Sequence, residues 1–239
     1  MTHRFRFFSP ACSSSASDGA EQIVLRDEEV KHLKIVRLQV GGEFEVFDGQ
    51  GVVYACVLHS ISKTTALCEI KSKTYTPAPQ TKVVAALAIQ QPNVFSEVLR
   101  SLVELGVDRF ALFRHQRDAL FKLRRQEHWQ KIILNACKQA KRAWLPDVTL
   151  LHTWQALLDY VRNYDCVVLD KSGEHGLLAL KPQGDVCFVV GASCGYDAAE
   201  LASLQSLPTA RVVSLGNNTL RATTAAIYVG GVLCERRGR

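Results

Sequence analysis

The chain has 239 residues, 47% hydrophobic and 22% charged, with 29 Lys+Arg against 23 Asp+Glu for a formal net charge of +6. These are globular values that exclude a disordered chain, and the length suits two modest domains or one large one. The longest apolar stretch is interrupted at Gly230 and Gly231, short of the ~20 residues a bilayer span needs, and the N-terminus lacks a signal-peptide succession. A cytoplasmic protein with no membrane partner is therefore expected.

In chain order, residues 1–75 read as short alternating strands with turn punctuation. Phe44, Val46 and Phe47 lead into Asp48-Gly49-Gln50-Gly51, and a second β-rich run, residues 52–58, follows. An Asp-Gly between two such runs is a hairpin signal, and residues 66–70 continue the pattern, so this region is a small β-barrel or open sheet. Residues 73–80, with two prolines and no periodicity, are the expected linker. Beyond Lys82 the texture changes. Continuous apolar runs at 83–89, 166–169, 186–190 and 211–215 suit strands buried on both faces of a parallel sheet. Helices are expected between them at 95–105 (closed by Gly106), 126–142, 153–163, 197–206 and 223–234. Within 126–142, Trp129, Ile132, Ile133, Ala136, Cys137 and Ala140 form one apolar stripe. Alternating strand and helix gives an α/β domain over residues 80–239, with its site at the strand C-terminal ends.

The charge is concentrated. Between Arg114 and Arg142 lie nine basic residues (Arg114, Arg117, Lys122, Arg124, Arg125, Lys131, Lys138, Lys141, Arg142) and two acidic ones, Asp118 and Glu127. That local +7 leaves the rest of the chain close to neutral. It reads either as a solvated helix face or as a surface for phosphates, which bind by counterion release; Arg117, Lys138 and Arg142 are candidate RNA contacts. Arg236, Arg237 and Arg239 add a second basic element. The eight cysteines include no C-x-x-C pair and several sit in apolar runs, so they read as core packing in a reducing compartment, with no metal site.

Two blocks stand out as chemistry. Gly191-Ala192-Ser193-Cys194-Gly195 follows a strand and precedes a helix, matching the G-x-S-x-G turn of α/β-hydrolases. That mechanism needs a histidine after the serine, and the last histidine is His175. The better use of the turn is backbone amides at a helix start, cradling a polar ligand. The second block, residues 215–226, runs Leu-Gly-Asn-Asn-Thr-Leu-Arg-Ala-Thr-Thr-Ala-Ala. A glycine turn there precedes a helix of small residues that permit close approach, and Arg221 at the junction could stabilise developing negative charge.

In their order these blocks resemble one family, the SPOUT superfamily methyltransferases of the RsmE type, which modify a uridine N3 of small-subunit ribosomal RNA. The resemblance begins at Arg4–Phe7 and runs through Lys31-His-Leu-Lys-Ile-Val-Arg-Leu38, Gly41-Gly-Glu-Phe44 and Phe47-Asp-Gly49. It continues through Val103-Glu-Leu-Gly-Val107, Ala136-Cys-Lys-Gln-Ala-Lys-Arg142 with Pro146, the 190–195 block, Leu215-Gly216 and Leu220-Arg221. It implies a PUA-like β-barrel over residues 1–75 that binds RNA, with Arg37 among its contacts. It also implies an α/β SPOUT domain over 80–239 with a deep trefoil knot, and a homodimer acting on ribosomal RNA of the small subunit. S-adenosylmethionine would be held by loops at Leu169, at Val190, Gly191 and Gly195, and at Leu215, Gly216, Asn217 and Leu220. Arg221, matching the family's L-R, would be catalytic.

The chain also departs from the pattern. The family's G-P-E-G-G carries Ser193 in place of its glutamate, and its L-R-T-E-T-A carries Thr223 in place of the second. The lysine three residues before E-L-G is Ser101, and an E-Q pair is Lys138-Gln139. Two readings follow: an S-adenosylmethionine-dependent ribosomal RNA methyltransferase, or a SPOUT-fold RNA-binding protein that has lost catalysis.

Overall fold

A computed structural model describes residues 4–10, 22–115 and 126–237. The chain divides into two units, Met1–Ala78 with Cys137–Leu145, and Pro79–Ala136 with Pro146–Arg239.

The first unit is built on a five-stranded sheet in the order β1-β3-β4-β5-β2, comprising β1 (Arg6–Phe8), β2 (Gln22–Arg26), β3 (Glu43–Phe47), β4 (Val52–Ile61) and β5 (Thr65–Tyr75). The β3–β4 hairpin forms where Asp-Gly predicts it. Asp48 is buried and its Oδ1 accepts from the N–H groups of Gln50 (2.7 Å) and Val52 (3.0 Å), while Gly49 and Gly51 take φ of +79° and +101°. Phe7, Leu25, Phe44, Val46, Leu58 and Cys68 fill the core. One element escapes the sequence reading: helix α1 (Asp27–Ile35), whose Val30 and Leu33 pack on that core. Its signal lay in charge, not periodicity, with Asp27, Glu28 and Glu29 in the first turn and His32 and Lys34 in the last.

Residues 137–145 return to this unit. Trp144 bridges to Gly49 and Gln50, its indole N–H donates to the Thr76 carbonyl (2.8 Å), and Gly51 N–H donates to Ala143 O (3.2 Å). Trp144 is therefore a structural plug beside Gly51, where a Cβ would lie 2.7 Å from its ring.

The second unit carries seven strands, all parallel, in the order β10-β12-β9-β11-β6-β7-β8. They are β6 (Val83–Ala88), β7 (Arg109–Phe113), β8 (Asp147–Leu151), β9 (Asp165–Leu169), β10 (His175–Gly176), β11 (Val186–Val190) and β12 (Ala210–Ser214). All residues of β6 and β11 are buried, as their unbroken apolar runs require. Alternate residues feed two layers. Val84, Ala86, Val168 and Val189 face Leu157 and Val161 of helix α4 (Trp154–Val161) and Leu204 of α5 (Ala198–Gln205). On the other layer, α2 (Pro92–Leu105) packs on α6 (Ala222–Arg237). Helix α3 (Gln126–Gln139) carries Trp129, only 2% exposed, which meets Phe95 edge-on at 5.5 Å.

The small residues of α6 serve the α2 contact. A Cβ on Gly230 would sit 2.4 Å from Cδ2 of fully buried Leu102, whereas one on Gly231 would meet Leu105 at 3.6 Å, an ordinary contact. Opposite signs are expected from adjacent substitutions. Gly230→Ala loses about 1–2 kcal/mol, because overpacking outweighs the gain in helix propensity. Gly231→Ala gains up to about 1 kcal/mol. Thermal unfolding of the two variants checks the pair; equal shifts would contradict the packing.

The C-terminal arginines are not a free basic element. Arg237 pairs with Asp108 and donates to Gly106 O (2.9 Å), and Arg236 donates to the carbonyls of Leu178 (2.7 Å) and Leu180 (2.9 Å). Arg239 lies outside the described residues.

Candidate functional site

Strands β9 and β12 are neighbours, Val213 lying opposite Leu169, so the loops that follow them emerge side by side. After β9, Asp170 N–H donates to Val213 O (3.2 Å), and Asp170 Oδ1 accepts from Ser172 N–H (2.9 Å) and Oγ–H (2.7 Å). Gly173 then crosses the end of β12 so closely that a Cβ would lie 2.5 Å from Ser214 N. After β12, Gly216 turns with φ +94° and the chain reaches α6, whose first turn closes from Ala225 N–H to Arg221 O (2.9 Å). Between these loops opens a cleft of about 100 Å³, lined by Leu169, Asp170 and Lys171 on one side and by Val213, Ser214, Leu215, Gly216, Asn218, Thr219, Leu220 and Ala225 on the other.

The cleft lining is largely apolar. Leu169, Leu215, Leu220, Val213 and Ala225 supply hydrocarbon. Among the described residues, none accepts a hydrogen bond from the N–H groups of residues 216–220. Of these, Gly216, Asn218, Thr219 and Leu220 line the cleft, and unpaired backbone donors beside apolar side chains suit a ligand with a flat, hydrogen-bonding ring.

Of the residues expected to hold a cofactor, Leu169, Leu215, Gly216 and Leu220 line this cleft. Val190, Gly191, Gly195 and Asn217 are not among its lining residues. The loop after β11 is instead braced from within. A Cβ on Gly191 would press on the Tyr196 ring at 3.0 Å, and Tyr196 O–H donates to Val189 O (3.0 Å). Burial pushes the Tyr196 phenol well up from its ordinary range, so it remains a donor. The backbone amides expected to cradle a polar ligand at the start of the following helix are in part taken by its own side chains: Asp197 accepts from Glu200 N–H (2.8 Å), and Glu200 accepts from Asp197 N–H (2.9 Å). Glu200 also pairs with fully buried His115 at 2.9 Å. Ser193 is exposed and makes no hydrogen bond to a histidine among the described residues, so the hydrolase arrangement is not formed.

Arg221 is exposed, one residue beyond the lining Leu220. Of the expected RNA contacts, Arg37 is exposed with a left-handed φ of +54°. Arg117 lies outside the described residues. Arg142 is half-buried, and its carbonyl accepts from Arg6 (3.1 Å). Lys138 requires correction as a displayed cation: its side chain is 9% exposed and paired with Glu29, itself 13% exposed. Sequence reasoning missed Asp170, Lys171 and Gly173; the only local signal was their position directly after a buried strand.

Of the described cysteines, Cys194 is exposed and the other six are buried. Burial pushes the Cys137 thiol up to about 11 and the Cys166 thiol to about 12. Because the thiolate is the reactive form, a thiol reagent at about pH 8 is expected to modify Cys194 in the native protein and to spare Cys137 and Cys166. Peptide mass spectrometry reads the outcome; rapid native labelling of Cys166 would refute it. Among the described residues no cluster could hold a metal ion, and no helix is long and apolar enough to cross a membrane.

Seven parallel strands with a cleft between the loops that follow β9 and β12 define an α/β protein. The chain belongs to the RNA methyltransferase family: residues 76–234 match its RNA methyltransferase domain, and residues 25–71 match the RNA methyltransferase PUA domain. Ribosomal RNA small subunit methyltransferase E of Synechocystis is 29% identical over 202 residues, 80% of this chain and 65% of that protein's length. The enzyme of the same name from Bacillus subtilis is 27% identical over 84% of this chain and 85% of its own. The fold is that of the crystal structure of ribosomal RNA small subunit methyltransferase E from Neisseria gonorrhoeae bound to S-adenosyl methionine, with a TM-score of 0.86, 23% identity and 98% of each chain covered.

Proposed function

We propose that this protein transfers a methyl group from S-adenosylmethionine to N3 of a uridine in small-subunit ribosomal RNA. The observation that carries this reading is the cleft between the loops after β9 and β12, within the residues that match the RNA methyltransferase domain. Its residues fit the cofactor. Leu169, Leu215 and Leu220 offer walls for an adenine ring, and the unpaired N–H groups of Gly216, Asn218, Thr219 and Leu220 offer partners to its ring nitrogens. When bound, the cofactor supplies a methyl group on a sulfonium, which leaves a neutral thioether behind. The chain's own task is then to bind, to align donor and acceptor, and to help a uracil N3 lose its proton. Arg221, exposed beside Leu220, offers a guanidinium to the negative charge that this loss places on the uracil.

On the same reading, residues 1–75 form an RNA-binding domain and 80–239 the methyltransferase domain, whose C-terminal segment threads a trefoil knot. The protein acts as a cytoplasmic homodimer on the small ribosomal subunit. Incubation of the protein with small subunits from cells lacking it, together with labelled S-adenosylmethionine, tests the proposal. Label is expected in N3-methyluridine at one site. Cofactor binding without transfer to any RNA favours the catalytically decayed RNA-binding protein suggested by Ser193 and Thr223.

A further inference from the structure

The cleft lining carries one carboxylate, Asp170, and one ammonium, Lys171, on consecutive residues. Neither is explained by the apolar walls or by the backbone donors of residues 216–220. Asp170 is half-buried and held rigidly: its N–H is tied to Val213 O, and Oδ1 accepts both hydrogen bonds from Ser172. Among the described residues Oδ2 has no hydrogen-bond partner, and Lys171 is exposed without an ion pair. Two opposite charges therefore stand on consecutive residues of an otherwise uncharged lining, with no ion pair between them among the described residues. A carboxylate oxygen left without a partner beside such a fixed one can accept from a charged donor. The adjacent ammonium supplies the opposite charge a few ångströms along the chain. This is the charge pattern of an α-amino acid read in reverse.

We propose that Asp170 and Lys171 recognise the amino-acid end of the cofactor, Asp170 accepting from its α-ammonium and Lys171 donating to its α-carboxylate. The inference rests on the reading of the cleft as the S-adenosylmethionine site. It assigns to Asp170 a binding role and to the apolar walls the nucleoside.

Calorimetry with two ligands separates these parts: S-adenosylhomocysteine, which has the amino-acid end, and 5′-methylthioadenosine, which lacks it. The wild-type protein is expected to prefer S-adenosylhomocysteine, and Asp170→Asn and Lys171→Met each to reduce that preference about tenfold, the value of one charge-assisted contact. Affinity for 5′-methylthioadenosine stays within about twofold in both variants on this account. An unchanged preference in both variants overturns the proposal. Equal losses for both ligands in Asp170→Asn, with no effect of the exposed Lys171→Met, also overturn it and assign Asp170 to holding the turn. If the wild-type protein binds neither ligand, the methyltransferase reading itself fails, a result distinct from an unchanged preference.

Discussion

Gly173→Ala is expected to cost about 3 kcal/mol of stability, at the upper end of overpacking, and to abolish measurable S-adenosylhomocysteine binding. The added Cβ would lie 2.5 Å from Ser214 N, 2.6 Å from Val213 C and 2.8 Å from Val213 Cα. All three are backbone atoms, so no rotamer change relieves the contact. Nor can β12 recede, because Val213 lies opposite Leu169 of β9 on one side and His175 of β10 on the other. The loop after β9 must lift instead, and with it goes the Asp170 N–H bond to Val213 O and one wall of the cleft. Gly176 supplies the matched control: it has an ordinary φ of −79° and nothing within 4 Å of its Cβ position. Thermal denaturation should show a drop of about 6–12 °C for Gly173→Ala and no loss for Gly176→Ala. Native-like melting and binding in Gly173→Ala would mean that the two loops do not cross as closely as the structure places them.

The same glycine marks where sequence reading stops. Strands β6, β9 and β11 are legible because burial on both faces demands unbroken apolar runs, and Val83–Ala88 is buried at every position, whereas β12, expected to be buried on both faces, buries only Val213 and exposes Arg211. Strand β8 is not, because Asp147 is exposed and Val148, Thr149 and Leu150 are only half-buried at the sheet edge. Strand β7 carries an apolar run, Phe110-Ala-Leu-Phe113, buried at all four positions, that the sequence reading leaves unassigned. Within the site, Leu215, Gly216 and Leu220 are legible as a turn entering a helix of small residues. Gly173 and Asp170 are not, because their roles arise from contact with Val213 and Ser214, some forty residues further along the chain. No local pattern encodes that crossing.

Charge was misread for the same reason. The segment from Arg114 to Arg142 sums to a cationic patch along the chain, yet Lys138 and Lys141 are matched by Glu29 and Glu45, residues remote in sequence. Arg6 pairs with the same Glu45 at 2.8 Å. Burial opposes ionisation of Glu45, but the hydrogen bonds and charges of Lys141 and Arg6 outweigh it and hold the carboxyl below its ordinary value. A depressed folded value contributes stability above the unfolded carboxylate range, and that stability is lost as pH falls through it. Acid should therefore loosen this cluster first on the low-pH side, which unfolding midpoints measured between about pH 6 and pH 3 would follow.

Lys138→Ala is expected to destabilise the protein by about 3 kcal/mol, because it leaves a mostly buried carboxylate without its partner. Glu29 also accepts from Phe8 N–H (3.4 Å), so it cannot turn outward without breaking that bond. The structure supplies a second readout in His32. Burial lowers its pKa first and the Lys138 charge lowers it further, so removing Lys138 should raise it, visible as a shifted imidazole titration in the NMR spectrum. Glu29→Gln alone should also destabilise, since it strands the ammonium. The double variant Lys138→Met with Glu29→Gln should recover much of the loss, because replacing a buried pair costs far less than breaking it. An RNA-contact role predicts another pattern. A Lys138→Ala protein that melts within about 1 °C of wild type, keeps the His32 titration unchanged and binds ribosomal RNA more weakly would return this lysine to the surface that its place in a basic segment first suggested.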